Sequence, residues 1–200
     1  MSRVAARVRP AEHADVAGLV GLVCAIDLSS GTFSGRALLD STQAHLEARL
    51  IEILDAAERT LLVAVDDASG ALVGLLVAKR DEVGAIDLTP VLHVTHLVVA
   101  PGHRRRGVGR MLLAAAVNLS EELGVDRILA TAASGSREAN RYLARLGFAP
   151  LVMHRLAPTS VLRRSLGMSA APERMAVLRR ARLVRAQRAG FGSRAVRRGA

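Results

Sequence analysis

The stretch "LVVAPGHRRRGVGRMLL", residues 97–113, joins an apolar strand, an arginine-glycine turn and the start of an apolar helix. Arginines repel one another and glycines destabilise helices, so the combination needs a physical reason. At a helix start, free N–H groups and the positive end of the helix dipole favour an anion. Gly107 and Gly109 let backbone amides approach a phosphate, and arginines add contacts to its oxygens. The stretch therefore predicts a diphosphate site.

The spacing of this turn differs from that of two other glycine-rich phosphate-binding motifs. It lacks the GKS or GKT ending of a P-loop and the G-x-G-x-x-G of a dinucleotide-binding fold, so both are excluded. A solvated basic turn with a glycine bend stays open on this stretch alone.

The charge of the chain is concentrated at one end. The net charge is +10, and residues 157–200 hold eleven arginines and one acid, Glu173, which leaves the preceding part neutral. We therefore expect a neutral domain over residues 1–156, long enough for a sizeable core, and a separate basic tail over residues 157–200. A domain that is basic throughout would indicate a nucleic-acid-binding protein. Here the neutral domain and the basic tail need separate functional explanations.

Location and redox state follow from the apolar runs. No run is long enough to span a bilayer, and arginines interrupt the N-terminal region where a signal peptide would lie. Cys24 is the single cysteine, and its apolar surroundings predict a buried thiol. We expect a cytoplasmic protein without disulfides.

Apolar periodicity predicts the order β-α-α-β-β-β-α-β-α-β, which indicates an α/β fold with one mixed sheet and helices on its faces. Helices are expected over residues 11–28 and 36–59, from the arginine-glycine turn to residue 123, and over residues 134–146, the last two ended by Gly124 and Gly147. Strands are expected up to Pro10 and over residues 60–65, 71–79, 91–100, 127–133 and 148–156.

The opening stretch resembles the acetyl-CoA signature of the GCN5-related N-acetyltransferases (GNAT family), L-x-V-x-P…R-x-x-G-x-G/A. The matching positions are Leu97, Val99, Pro101, Arg104, Gly107 and Gly109. "NRYLARLGF", residues 140–148, is similar to the family's later helix-to-strand motif. The resemblance covers roughly residues 3–156 and implies a mostly antiparallel sheet flanked by helices, with acetyl-CoA as acyl donor and no metal.

The resemblance also implies how the donor is held. The strand backbone would pair with the pantetheine arm, the turn amides would hold the diphosphate beside one arginine side chain, and an asparagine would contact the arm. The implied cofactor-binding residues are Leu97, Val98, Val99, Arg104, Arg105, Arg106, Gly107, Val108, Gly109, Arg110 and Asn140. This binding requires the strand to separate from its neighbour.

The implied reaction is direct attack of a primary amine on the thioester, which needs a base near neutrality. His93, four residues before Leu97, lies where several family branches carry a glutamate or histidine base. The alternative is a partly buried histidine bonded to backbone. His96 lies an odd number of residues away, so strand alternation predicts the opposite face and a structural role. Asp87 and Glu82 are expected to be solvated.

The proton donor departs from the family pattern. The usual tyrosine position is Leu143 here, and Tyr142 stands one residue earlier, a rotation of about 100° round a helix. We expect its hydroxyl to point elsewhere and its ring to pack, although Tyr142 stays a catalytic candidate. If it packs, water or the substrate must protonate the thiolate.

The tail allows several partners. Residues 172–188 predict a basic amphipathic helix, before a disordered end, that docks on the domain or a neighbour, with an anionic membrane surface or nucleic acid as disfavoured alternatives. The favoured function is an N-acetyltransferase that acts on a small-molecule or peptide amine. A homodimer is compatible with this function. The alternatives are a coenzyme A-binding module with little catalysis, acting as a sensor or scaffold through its tail, and a nucleic-acid-binding protein.

Overall fold

The computed structural model describes residues 5–25, 43–84, 86–132 and 135–168. The chain divides into two compact units, Met1–Leu151 and Val152–Ala200. The predicted tail helix over residues 172–188 lies outside the described residues.

The first unit is built on a five-stranded mixed sheet with the strands in sequence order. All neighbouring strands are antiparallel except the last two, which run parallel. The strands are β1 (Ala6–Pro10), β2 (Arg59–Asp66), β3 (Leu72–Glu82), β4 (Pro90–Val99) and β5 (Ile128–Ala130). The predicted α/β class and its mostly antiparallel sheet are confirmed.

The described residues of this unit form four α-helices: α1 (Val16–Cys24), α2 (Gln43–Asp55), α3 (Val108–Glu122) and α4 (Arg137–Arg145). Parts of the first two predicted helices fall within residues 26–42, outside the described residues. Gly124 and Gly147 follow α3 and α4 with φ of +66° and +94°, a backbone conformation that glycine adopts without strain. The two predicted helix ends are therefore confirmed.

An aliphatic core covers each face of the sheet. On one face, Leu76 and Leu92 pack under Leu112 of α3. On the other, Val63 and Leu75 pack under residues of α1 and α2 that include Leu19. The three leucines Leu76, Leu92 and Leu112 are at most 1% exposed, so their contacts pack α3 closely against β3 and β4.

Cys24 is exposed, and the prediction of a buried thiol is wrong. It is the last residue of α1, whose buried side chains are Val16, Leu19, Val20 and Leu22. At 100° per residue, Cys24 falls roughly 100° from the centre of that stripe.

The predicted final strand over residues 148–156 is also wrong, because residues 148–158 form no strand. Alternating apolar residues favour a strand only where a partner strand pairs with them. In the described ranges none does, and Leu151, Val152 and Met153 expose more than half of their area. The second unit contains one described helix, α5 (Thr159–Ser165). No helix in the described part of the chain is long and apolar enough to cross a bilayer.

Candidate active site

The outer edge of β4 is open over half its length. The parallel pairing with β5 ends at Val94 and Ala130, after which the N–H of Thr131 donates to the carbonyl of Val94 at 3.0 Å. Because β5 stops there, residues 95–99 of β4 have no described strand on that side. The separation that the cofactor interpretation requires is present.

A β-bulge decides which backbone groups face the open edge. His96 pairs with Val77 and Val94 pairs with Ala78, so Thr95 is an extra residue, and its hydroxyl donates to the carbonyl of Val77 at 3.2 Å. An extra residue reverses the alternation beyond it. Beyond the bulge, the backbone N–H and C=O groups that face the open edge therefore belong to Leu97 and Val99.

Contacts at the end of β4 agree with this assignment. The N–H of Ala100 donates to the carbonyl of Val73 on β3 at 2.9 Å, so Ala100 and, by alternation, Val98 face β3. The carbonyl of Val99 faces the other way and accepts from Arg104 Nε at 3.4 Å. Of the three predicted backbone ligands, Leu97 and Val99 lie on the open edge, and Val98 does not.

The bulge also changes the position of His96. Leu92, Val94, Leu97 and Val99 pack in one core, whereas Val98 and Ala100 pack in the other. His93 and His96 therefore share a face, and the prediction of opposite faces is wrong. Although His96 is exposed overall, desolvation lowers its pKa, and the proximity of His93 lowers it further.

The arginine-glycine turn presents its backbone amides at the start of α3. Arg105 and Gly107 have φ of +57° and +94°, and Gly107 caps the helix without a side-chain bond. Arg110 and Met111 both donate to the carbonyl of Gly107 at 3.0 Å. In the part of the chain that the structure describes, the N–H groups of residues 105–109 donate to no backbone carbonyl.

Space and charge at this turn suit an anion. A Cβ on Gly107 would meet no described atom within 4 Å. Arg104, Arg105, Arg106 and Arg110 are exposed, whereas the side chain of Val108 is buried in the core and leaves only its amide for a ligand. Consecutive amides in left-handed and right-handed conformations form a concave anion site, and nearby guanidinium groups strengthen it.

Tyr142 lies against this turn. A Cβ on Gly109 would stand 3.5 Å from the Tyr142 hydroxyl and 3.7 Å from Val99 Cγ2. The ring packs against the core, as predicted, and the side chain of Leu143 packs on the same core. The hydroxyl lies level with Val99 at the end of β4, away from His93.

Asn140, the remaining predicted cofactor residue, is exposed on α4. Its Nδ2 donates to the carbonyl of Ser136 at 2.8 Å, one turn earlier in the chain. Its amide is therefore already engaged by its own helix.

His93 lies between an acid and a hydroxyl where β4 and β5 separate. Its Nδ1 is 3.3 Å from Asp81 Oδ2, and its Nε2 is 2.7 Å from Thr131 Oγ1. A carboxylate only accepts, so Nδ1 carries the proton in neutral His93 and Nε2 accepts from Thr131. The side chain of His93 is 20% exposed. Both ring nitrogens of His93 contact side chains, so the alternative of a histidine bonded to backbone is wrong.

Asp81 stays ionised in this cluster. The ammonium group of Lys79, 2.7 Å from Asp81 Oδ2, is the main cause that lowers the pKa of Asp81 to about 2, with further hydrogen bonds from the N–H of Glu82 and from His93. Asp87 is exposed and accepts from Thr89 within its own turn, and Glu82 is exposed, so neither is close to His93 in these contacts.

Sequence reasoning missed Asp81 and Thr131. Asp81 was detectable, because the Lys79–Asp81 alternation places it on a face of the strand next to His93. Thr131 carried no signal, because its position depends on where β5 stops. Among the described residues, no three or more His, Cys, Asp or Glu side chains are grouped to hold a metal ion.

Residues 28–148 match the family model described as the acetyltransferase (GNAT) family. The chain belongs to the GNAT family. The match includes β4, the arginine-glycine turn and α4, so the elements that build the open edge are those of a GNAT domain. A comparison with curated proteins finds no match.

Solved structures share this GNAT fold. Aminoglycoside N-acetyltransferase AAC(6')-Iy in complex with CoA is 20% identical, covers 78% of this chain and 97% of its own, and has a TM-score of 0.61. Glucosamine-6-phosphate N-acetyltransferase from Arabidopsis thaliana is 15% identical with coverage of 77% and 98% and a TM-score of 0.57. A transcriptional regulator from Bacillus halodurans C-125 is 21% identical with coverage of 75% and 99% and a TM-score of 0.59. At these identities the comparisons show the fold alone.

Proposed function

We propose that this GNAT protein transfers the acetyl group of acetyl-CoA to a primary amine by direct attack on the thioester. The observation that carries the proposal is the open edge of β4 leading into a turn of unpaired amides. An elongated ligand with amide groups along one part and a diphosphate at one end matches this donor arrangement. Acetyl-CoA has that chemistry and supplies the activated acetyl group.

The binding residues follow from the contacts. The backbone groups of Leu97 and Val99 bind the pantetheine amides, and the amides of residues 105–109 bind the diphosphate. Arg104, Arg105, Arg106 and Arg110 contribute positive charge around it. The N–H of Leu97 or Val99 is also available to polarise the acetyl oxygen, which requires a donor fixed before the reaction.

His93 is the proposed base. An amine arrives mainly as its ammonium form and must lose a proton before it attacks. His93 Nε2 can accept that proton directly or through the Thr131 hydroxyl at 2.7 Å. Asp81 holds Nδ1–H and stabilises the positive charge that His93 then carries, so we assign Asp81 as a positioning residue. The proton for the departing thiolate comes from water or the substrate.

The acceptor belongs to the class of small-molecule or peptide amines. Aminoglycosides and an amino sugar phosphate are named for two of the similar structures, and these compounds define the first part of an acceptor panel. Peptide amines complete the panel.

The test measures thiol release from acetyl-CoA with each amine, together with thermal stabilisation of the protein by CoA. We expect CoA to raise the melting temperature and at least one amine to give thiol release that depends on protein concentration. Stabilisation without thiol release from any amine would favour the coenzyme A-binding module. Absence of both responses would refute the proposal.

A further inference from the structure

The Tyr142 hydroxyl is a buried polar atom without a hydrogen-bond partner among the described residues. A buried hydroxyl that makes no hydrogen bond destabilises the fold, because it has lost its hydrogen bonds to water, whereas phenylalanine would fill nearly the same space without this penalty. The unpartnered oxygen therefore indicates a ligand that supplies the missing acceptor.

The position of the hydroxyl identifies which part of a ligand it meets. The oxygen lies 3.5 Å from where a Cβ on Gly109 would stand, and Val99 Cγ2 lies 3.7 Å from the same point. Gly109 is the second residue of α3, directly after the unpaired amides, and Val99 is the last residue of β4. The hydroxyl therefore lies beside the turn that forms the anion site.

The ionisation state of Tyr142 suits a donor. Burial raises the pKa of the Tyr142 hydroxyl, against a smaller opposing effect of Arg110 and Arg145. The group is therefore neutral at physiological pH and carries a proton to donate to a phosphate oxygen.

The distance from the base argues against a role in the chemical step. His93 and Thr131 lie level with Val94, whereas the Tyr142 hydroxyl lies level with Val99. Five residues of strand correspond to about 16 Å, slightly shortened by the bulge. A donor to the thiolate must be within a few ångströms of the reacting amine and its base.

We propose that Tyr142 is a cofactor-binding residue whose hydroxyl donates a hydrogen bond to the diphosphate of CoA. This assignment rests on the proposed function, since it requires CoA at this site. It replaces the catalytic role that the sequence left open for Tyr142.

Tyr142→Phe tests the assignment by calorimetric binding of CoA and two fragments. 3'-Phosphoadenosine 5'-diphosphate carries the diphosphate without the arm, and pantetheine carries the arm without the diphosphate. We expect at least about tenfold weaker binding of CoA and of the diphosphate fragment, with unchanged pantetheine binding. The melting temperature without ligand should stay equal or rise, because the unpaired hydroxyl is gone.

Ser120→Ala is the matched control. Its buried hydroxyl is already satisfied, donating to the carbonyl of Val125 at 2.7 Å on the far part of α3. This variant should lower the melting temperature and leave CoA affinity unchanged. Equal affinity of Tyr142→Phe and the unaltered protein for CoA and the diphosphate fragment would overturn the assignment, and so would a loss confined to turnover. Failure of the unaltered protein to bind CoA would instead refute the proposed function.

Discussion

Gly107→Ala separates the conformational role of this glycine from its role in binding. Gly107 has φ of +94°, and a Cβ there would meet no described atom within 4 Å. A methyl group therefore disturbs the free protein through backbone conformation alone, at about 1–2 kcal/mol. It would also stand in the space over the unpaired amides, where the diphosphate is proposed to bind.

Gly124→Ala is the control for the conformational part. Gly124 has φ of +66°, and its added Cβ would likewise meet no described atom within 4 Å. It follows the opposite end of α3, about 26 Å from Gly107 at 1.5 Å per helical residue. Both variants should lower the melting temperature by roughly 2–8 °C.

Calorimetric titration with CoA then distinguishes the two variants. Gly107→Ala should bind CoA at least about tenfold more weakly, equivalent to about 1.4 kcal/mol, whereas Gly124→Ala should bind as the unaltered protein does. Equal CoA affinity in the two variants, with both folded, would refute the reasoning that bare amides at this turn bind the diphosphate.

Three further predictions concern His93, Asp81 and His96. His93→Gln should lower kcat about 100-fold or more while CoA affinity stays unchanged, and an unaltered kcat would remove His93 as the base. The pKa of Asp81 is about 2 when folded, below its unfolded value, so its stabilisation is present above about pH 4 and is lost as pH falls toward 2. The Asp81 side chain is 35% exposed, so solvent screens its ion pairs. Urea unfolding at pH 7 should therefore show that Asp81→Asn lowers the free energy of unfolding by only about 1 kcal/mol. This difference should shrink in acid, and an equal difference at pH 3 would contradict the prediction. The pKa of His96 is lowered on folding, so protonation below about pH 6.5 favours the unfolded state, and His96→Gln should lose less stability between pH 7 and pH 5 than the unaltered protein.

The sequence predicted the elements that periodicity and helix-ending glycines encode. Gly124 and Gly147 ended helices as expected, because their positive φ is a local property that glycine adopts at little expense. The arginine-glycine turn was placed correctly between β4 and α3, because a strand and helix separated by such residues have few alternative arrangements.

The details of the site depend on longer-range pairing that a sequence pattern does not show. The extra residue at Thr95 places His96 on the face of His93 and turns the backbone of Val98 toward β3. A strand read by strict alternation misses such a shift. The end of β5 at Ala130 likewise depends on pairing with β4, and it places Thr131 beside His93.

The contacts of the Tyr142 hydroxyl also depend on the assembled fold. A helical rotation locates the Cα–Cβ bond, whereas the end of a tyrosine reaches much further, and its position is set by packing. The hydroxyl lies 3.5 Å from where a Cβ on Gly109 would stand, and only the assembled fold reveals this approach.

A crystal structure of the protein with bound acetyl-CoA would show whether the turn binds the diphosphate. We expect diphosphate oxygens within hydrogen-bond distance of the backbone N–H groups of residues 105–109, with the arm along the edge formed by Leu97 and Val99. A cofactor bound elsewhere, or a turn whose amides are occupied by the protein's own side chains, would contradict it.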